Sequence, residues 1–220
     1  MNRFESLSPA RWSVYVITDL QLSGGRDHEF VAREAYRGGA DVVQLRDKEL
    51  TARDFLTHAK KIKEIADSFN REFIVNDRID VALASSSHGV HIGYDDFPYA
   101  RARMIYPKPL ILGVSAGNPE ELDRAGEADV DYIGIGPIFE TRDAKPDAGS
   151  PVGLKFIEKA RQATNVPLIA IGGINHNNSP SVIKAGASAV AVISAVVAQK
   201  DISESTRRLK DIVENAKATI

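Results

Sequence analysis

No cysteine occurs in the 220 residues, which excludes disulfides, thiolate metal sites and cysteine nucleophiles. Neither sign of charge dominates. Lys and Arg number 28 against 30 Asp and Glu, a formal net charge of −2. Such a balance does not indicate a nucleic-acid partner, so any basic cluster that matters is local and belongs in a pocket. Long apolar runs are missing too. The longest, residues 189–198, is too short to span a bilayer. Residues 1–10 carry Arg3 and Glu5 where a signal peptide needs an apolar centre. These absences predict a cytoplasmic chain without membrane attachment. Hydrophobic residues make up 43% and charged residues 26%, the balance of an ordinary globular protein, and the length suits one domain over 1–220.

What is present is an alternation. Short runs rich in Val and Ile occupy residues 12–19, 41–46, 72–77, 89–93, 110–115, 131–136, 167–173 and 189–194, each bounded by Gly, Pro or Asp. Apolar throughout, they read as buried strands of a parallel sheet. Helical stretches lie between them. The longest covers 51–69 with Phe55, Ala59, Ile62 and Ala66 on one face, and Thr51 is placed to cap it with Asp54 three residues on. Residues 203–218 close the chain with Leu209, Ile212, Val213 and Ala216 on one face. Shorter helical pieces fall near 28–37, 78–84, 118–127, 152–163 and 178–185, and a weakly defined one near 97–103. Eight strands alternating with helices predict a (β/α)8 TIM barrel, an α/β fold; an open doubly wound sheet is the alternative. The long irregular stretch 137–151 follows the sixth strand, a common place for a functional loop.

Polar and small residues gather where the strands end: Asp19, Arg46 to Lys48, Asn76 and Asp77, Asp95 and Asp96, Ser115, Gly136, Gly172 and Gly173, and Ser194. In a parallel barrel all these ends open on one face, where active sites sit. Strands that merely end in turns would explain the Asp and Gly residues. They do not explain Gln44, which falls inside a strand and needs partners if it points inward. Arg46 and Lys48 are two apart, so in extended chain they share a side and suit a multiply charged anion such as pyrophosphate; pairing with Asp47 or Glu49 is the plainer reading. Asp77 and Asp96 belong to neighbouring strands and suggest a Mg²⁺ held between protein and substrate phosphates, with Asp95 competing for the role. Gly172-Gly173 and the run of residues 192–194 into a short helix suggest a phosphate held on backbone N–H groups. His91, inside an apolar strand, reads as a satisfied core histidine; His28, His58 and His176 read as solvated, and His88 precedes a turn. No metal-binding histidine spacing occurs.

These pieces, in this order, resemble the thiamine phosphate synthase family. The resemblance is carried by residues 15–19 (Tyr-Val-Ile-Thr-Asp), 44–48 (Gln-Leu-Arg-Asp-Lys), 75–78 (Val-Asn-Asp-Arg), 89–93 with Asp96, 112–115 (Leu-Gly-Val-Ser), 131–139, 169–174 and 191–194. It implies a TIM barrel, Mg²⁺, small-molecule substrates, and attack of a thiazole nitrogen on a pyrimidine methylene with loss of pyrophosphate. By position it implies that Gln44, Arg46, Lys48 and Asn76 hold the pyrimidine pyrophosphate and that Asp77 and Asp96 bind Mg²⁺. Ser115 and Lys145 would touch the leaving pyrophosphate, and Thr141, Gly173, Ile193 and Ser194 the thiazole phosphate. Arg46, Lys48, Ser115 and Lys145 are thereby the expected catalytic set. The chemistry asks little of acids and bases: it needs cations on the developing pyrophosphate charge and two substrates held in line.

The chain departs from the family pattern in three places. Residues 139–145 (Phe-Glu-Thr-Arg-Asp-Ala-Lys) are one residue longer than the usual run and lack its second Thr, so Arg142 is a candidate replacement contact. Tyr94 stands where Gln is common and His88 where Asp is common. Three other functions compete, one of them another phosphate-sugar barrel enzyme such as an epimerase, which needs a proton-transfer pair or metal histidines that the sequence does not assemble. A thiazole tautomerase relative would carry a working His at the position of Gly117, and a regulator would bind thiazole phosphate without turnover. One sequence is silent on oligomeric state, and a homo-oligomer is compatible with it.

Overall fold

A computed structural model describes residues 8–141 and 149–220. Eight parallel strands close into a barrel in sequence order. They are β1 (Val14–Ile17), β2 (Val42–Leu45), β3 (Glu72–Asn76), β4 (Gly89–Ile92), β5 (Ile111–Ala116), β6 (Tyr132–Ile135), β7 (Leu168–Ile171) and β8 (Ala189–Val192). Closure is made by β8 beside β1, with Tyr15 opposite Ala191. The open doubly wound alternative is thereby excluded, because an open sheet leaves its two edge strands unpaired.

Helices cover the outside. They are α1 (His28–Arg37), α2 (Ala52–Ser68), α3 (Ile79–Ala84), α4 (Tyr99–Ile105), α5 (Pro119–Glu127), α6 (Leu154–Ala163), α7 (Ser179–Lys184), α8 (Ser194–Val197) and α9 (Ile202–Lys217). Short polar side chains start several of them. Asp27 accepts from Phe30 N, Thr51 from Asp54 N, Asn118 from Glu121 N and Asp201 from Glu204 N, each satisfying an N–H that the first turn leaves open. α2 buries Phe55, Ala59, Ile62, Ile65 and Ala66 against the barrel. A fully buried side chain such as Ile62 contributes roughly 2 kcal/mol. On α9 the apolar face is Leu209, Val213 and Ala216, with Ile212 only half-buried. The weakly patterned fourth helix does form: Tyr99 and Ala102 bury, while Met104 and Ile105 stay exposed, which blurs its period.

Inside the barrel, bulky side chains are met by glycines on nearby strands. A Cβ on Gly113 would collide with the Tyr132 ring, and one on Gly134 would lie 3.0 Å from His91 Cε1. Trp12 packs edge-on against Tyr15 and Tyr132 at 5.7 and 5.2 Å between ring centroids. These glycines let two tyrosines and a histidine share an interior usually filled by aliphatic residues.

Candidate active site

Two adjoining cavities open at the carboxyl ends of the strands. The smaller, about 330 Å³, is walled by Gln44, Arg46, Lys48, Asn76, Asp77 and Asp96, among others. The larger, about 1020 Å³, includes Thr141, Gly173, Ile193 and Ser194 in its wall. Ser115, Gly134, Ile171 and Ala191 line both, so the cavities meet at the barrel mouth. Residues far apart in the chain converge because every parallel strand delivers its last residues to the same face. Lys145 and Arg142 lie outside the described residues. Asp19 is turned elsewhere, its Oδ1 accepting from Leu22 N in a turn.

Arg46 and Lys48 flank an aspartate committed to other work. Asp47 Oδ1 accepts from Glu49 N and Leu50 N, and Oδ2 meets His28 Nε2 at 3.2 Å. Burial opposes ionisation of Asp47, yet these donors outweigh it and hold its carboxyl below the usual range. Arg46 and Lys48, on either side of it, both line the smaller cavity. His28 corrects the sequence reading: it is buried, not solvated, with Nδ1 2.8 Å from Thr18 Oγ1. Burial pulls its pKa below the ordinary imidazole value, with Asp47 opposing. Thr18 Oγ1 in turn accepts from Arg46 N at 3.3 Å, so one buried imidazole fixes both ends of the cationic loop. His58 and His176 are half-buried as well, the first pairing with Glu29 and the second with the carbonyl of Ser205.

The carboxylates follow β3 and β4, the next strands along the barrel wall. Asp77 has φ of 60°, a left-handed conformation that Asp tolerates, and its N–H donates to the carbonyl of His91. Asp96 Oδ2 accepts from Gly93 N at 2.8 Å, folding that side chain back over the end of β4; Asp95 lines the same cavity. Among the described residues no cluster of three or more His, Asp or Glu could cage a metal. Two carboxylates beside two cations suit a Mg²⁺ that takes its remaining ligands from substrate phosphates and water.

Gln44 has the partner its position demands. Its Nε2 donates to Tyr15 Oη at 2.7 Å. Tyr15 Oη meets Tyr132 Oη at 3.0 Å, Tyr132 Oη meets His91 Nδ1 at 3.0 Å, and His91 Nε2 meets Ser115 Oγ at 2.9 Å. Burial pushes both phenols far up, so they stay un-ionised. Tyr15 and Tyr132 look like filler in the strand pattern; only the barrel reveals that their hydroxyls meet.

The larger cavity depends on paired glycines. Gly172 and Gly173 have φ of 99° and 63°, and a Cβ on either would strike Pro137 or the Phe139–Glu140 backbone. Glycine here lets the loop after β7 lie against the loop that carries Thr141. The two substitutions at family positions also find partners. Tyr94 lies under the Arg124 guanidinium, 5.1 Å from ring centroid to Cζ. His88 Nδ1 accepts from Phe73 N.

Comparison with known proteins gives a consistent picture. The sequence model of a family described as thiamine monophosphate synthase matches residues 14–196. The chain is 47% identical over 203 residues to thiamine-phosphate synthase of Methanocella arvoryzae, covering 92% of this chain and 95% of that one. It is 44% identical over 207 residues to thiamine-phosphate synthase of Moorella thermoacetica, covering 94% and 98%. The fold matches the solved thiamine phosphate pyrophosphorylase from Pyrococcus furiosus with a TM-score of 0.87 at 36% identity, covering 94% and 98%.

Proposed function

The chain belongs to the thiamine monophosphate synthase family, and from that membership we propose how its two cavities divide one reaction. It is a transferase that condenses 4-amino-5-hydroxymethyl-2-methylpyrimidine pyrophosphate with 4-methyl-5-(2-phosphoethyl)thiazole, giving thiamine phosphate and pyrophosphate. The smaller cavity takes the pyrimidine pyrophosphate and the larger one the thiazole phosphate. The observation that carries this assignment is the shared wall at Ser115, Gly134, Ile171 and Ala191, which brings a cation-lined cavity and a glycine-lined one edge to edge.

Gln44 and Asn76 orient the pyrimidine, and Arg46 and Lys48 bind the pyrophosphate. Asp77 and Asp96 would hold Mg²⁺, which when bound neutralises pyrophosphate oxygens as the leaving group gathers charge. The bond from the methylene carbon to the pyrophosphate oxygen breaks, and the thiazole nitrogen bonds to the same carbon. Fixed cations stabilise the departing charge without reorganising, and the second cavity holds the nucleophile in line. Ser115 faces the reacting centre from the boundary. Backbone N–H groups at Gly173, Ile193 and Ser194, with Thr141, take the thiazole phosphate. Lys145 completes the pyrophosphate contacts on this reading. Both substrates are small molecules, and among the described residues no helix is long and apolar enough to cross a membrane.

The test is direct. Purified protein with both substrates and Mg²⁺ should form thiamine phosphate, read as fluorescent thiochrome phosphate. Formation should stop with EDTA and fall by about a hundredfold or more in Arg46→Ala. Thiazole phosphate binding without product would overturn the reading in favour of a binding protein or a tautomerase.

A further inference from the structure

The chain of hydrogen bonds from Gln44 to Ser115 crosses the barrel, and its donors and acceptors can be assigned in order. Gln44 Nε2 can only donate, so Tyr15 Oη accepts from it. The Tyr15 proton must then find an acceptor in a buried interior. Among the described residues its other side-chain partner is Tyr132 Oη, so Tyr15 donates there. Tyr132 has accepted, and its own proton goes to His91 Nδ1. A neutral imidazole that accepts at Nδ1 carries its proton on Nε2, and that N–H donates to Ser115 Oγ. The reverse order would leave the buried Tyr15 hydroxyl proton without an acceptor, a costly arrangement.

We propose that Tyr132 and His91 are positioning residues that fix the direction of the Ser115 hydroxyl, so that its proton is offered to the leaving pyrophosphate. Resting on the assignment of Ser115 to the boundary between the two substrates, the inference adds a reason for the polar barrel interior. Ser115 Oγ is occupied as an acceptor by His91. Its own proton is then available to donate, and the cavities it lines are where that donation can go. The Ser115 backbone is held as well, since Tyr99 Oη donates to its carbonyl at 2.7 Å. A hydroxyl with its lone pair engaged from behind is a preorganised donor, which costs nothing to orient when charge develops on the leaving oxygen. Glycine at 113 is part of the same device, because the Tyr132 ring occupies the space a Cβ would need.

The experiment is a double-mutant cycle on thiamine phosphate formation with wild type, Ser115→Ala, His91→Ala, the double variant and His91→Gln, each checked by thermal melting. Ser115→Ala should lower kcat about a hundredfold. His91→Ala should lower kcat roughly tenfold with KM for the pyrimidine pyrophosphate nearly unchanged, because the interaction belongs to the transition state. The double variant should be no slower than Ser115→Ala, since without a hydroxyl His91 has nothing to orient. His91→Gln, which keeps an N–H donor near Nε2, should recover most of the loss. Should His91→Ala melt early, Tyr132→Phe removes only a hydroxyl and should also lower kcat, again with no further loss in the Ser115→Ala background. Multiplying losses in the double variants, or full kcat in His91→Ala, would overturn the inference while leaving the reaction intact. A wild-type chain that makes no thiamine phosphate would instead overturn the functional reading, and this inference with it.

Discussion

His28 Nε2 stands 3.2 Å from Asp47 Oδ2, tying the first residue of α1 to the loop that carries Arg46 and Lys48. The bond matters because neither cation can recognise a pyrophosphate unless the backbone between them is held. His28→Ala should free that loop. KM for the pyrimidine pyrophosphate should rise roughly tenfold, with a smaller change in kcat, because ground state and transition state lose the same contact. Steady-state kinetics at varied pyrimidine pyrophosphate check this, and an unchanged KM would remove the clamp from the account.

The same histidine makes a prediction about pH. Burial lowers its pKa from the ordinary 6.5, so the unfolded chain takes up the proton first as pH falls. The stability contributed by neutral His28 is therefore complete above about pH 6.5 and is lost as pH falls through the lowered folded value. His28→Gln lacks this titration. Its melting temperature should fall less than that of wild type between about pH 7.5 and pH 5. Parallel curves for the two proteins would show that His28 does not titrate differently on folding.

Glu72 behaves in the opposite sense at the other end of the barrel. It opens β3, is only 6% exposed, and burial raises its pKa from 4.5 to about 7, with Asp41 adding to the rise. A raised carboxyl pKa gives stability that is fully present below the unfolded value and lost as pH rises through the folded one. Glu72→Gln should therefore match wild type near pH 4.5 and be the more stable protein at pH 8. The shift sets an upper bound on the gain of about 3 kcal/mol. Chemical denaturation at the two pH values measures the difference, and a glutamine variant that is no better at pH 8 would show that the ionised form is well supported.

The strands and the cationic and acidic residues were legible in the sequence because both signals are local. A buried parallel strand is a short Val and Ile run, and the residues that line the cavities include polar groups at strand ends, as at Arg46, Asp77 and Ser115. Buried contacts between distant strands were not legible. Tyr15 and Tyr132 are 117 residues apart, and nothing near either one marks a hydroxyl that will meet another. His28 misled for a related reason. At the start of an amphipathic helix a histidine looks solvated, and only the return of the chain from β2 covers it. α4 was faint because Met104 and Ile105 are apolar yet exposed.

Gly113 tests the packing beneath the site. A Cβ there would strike the ring of Tyr132, which Trp12 confines on one side and His91 stacks against on another, with 5.5 Å between ring centroids. Gly113→Ala should destabilise the protein by about 1–3 kcal/mol. It should also lower kcat by more than a surface Gly126→Ala, which has open space around it. Melting curves and turnover of the two variants decide it. If Gly113→Ala were as stable and active as wild type, the Tyr132 ring would have room to move.

Asp77 offers a way to separate backbone from charge at the proposed Mg²⁺ site. Its φ of 60° is one that asparagine also adopts readily, whereas alanine there costs roughly 1–2 kcal/mol. Asp77→Asn should therefore fold with near wild-type stability, and Asp77→Ala should melt earlier. Both lose the carboxylate. Each should need at least about tenfold more Mg²⁺ for half-maximal thiamine phosphate formation, since ligand charge is what draws the cation from water. Mg²⁺ titrations of the two variants beside wild type distinguish the effects. An asparagine variant with unchanged Mg²⁺ demand would move the ligand role to Asp95 and Asp96 after the neighbouring strand and leave Asp77 as a residue chosen for its turn.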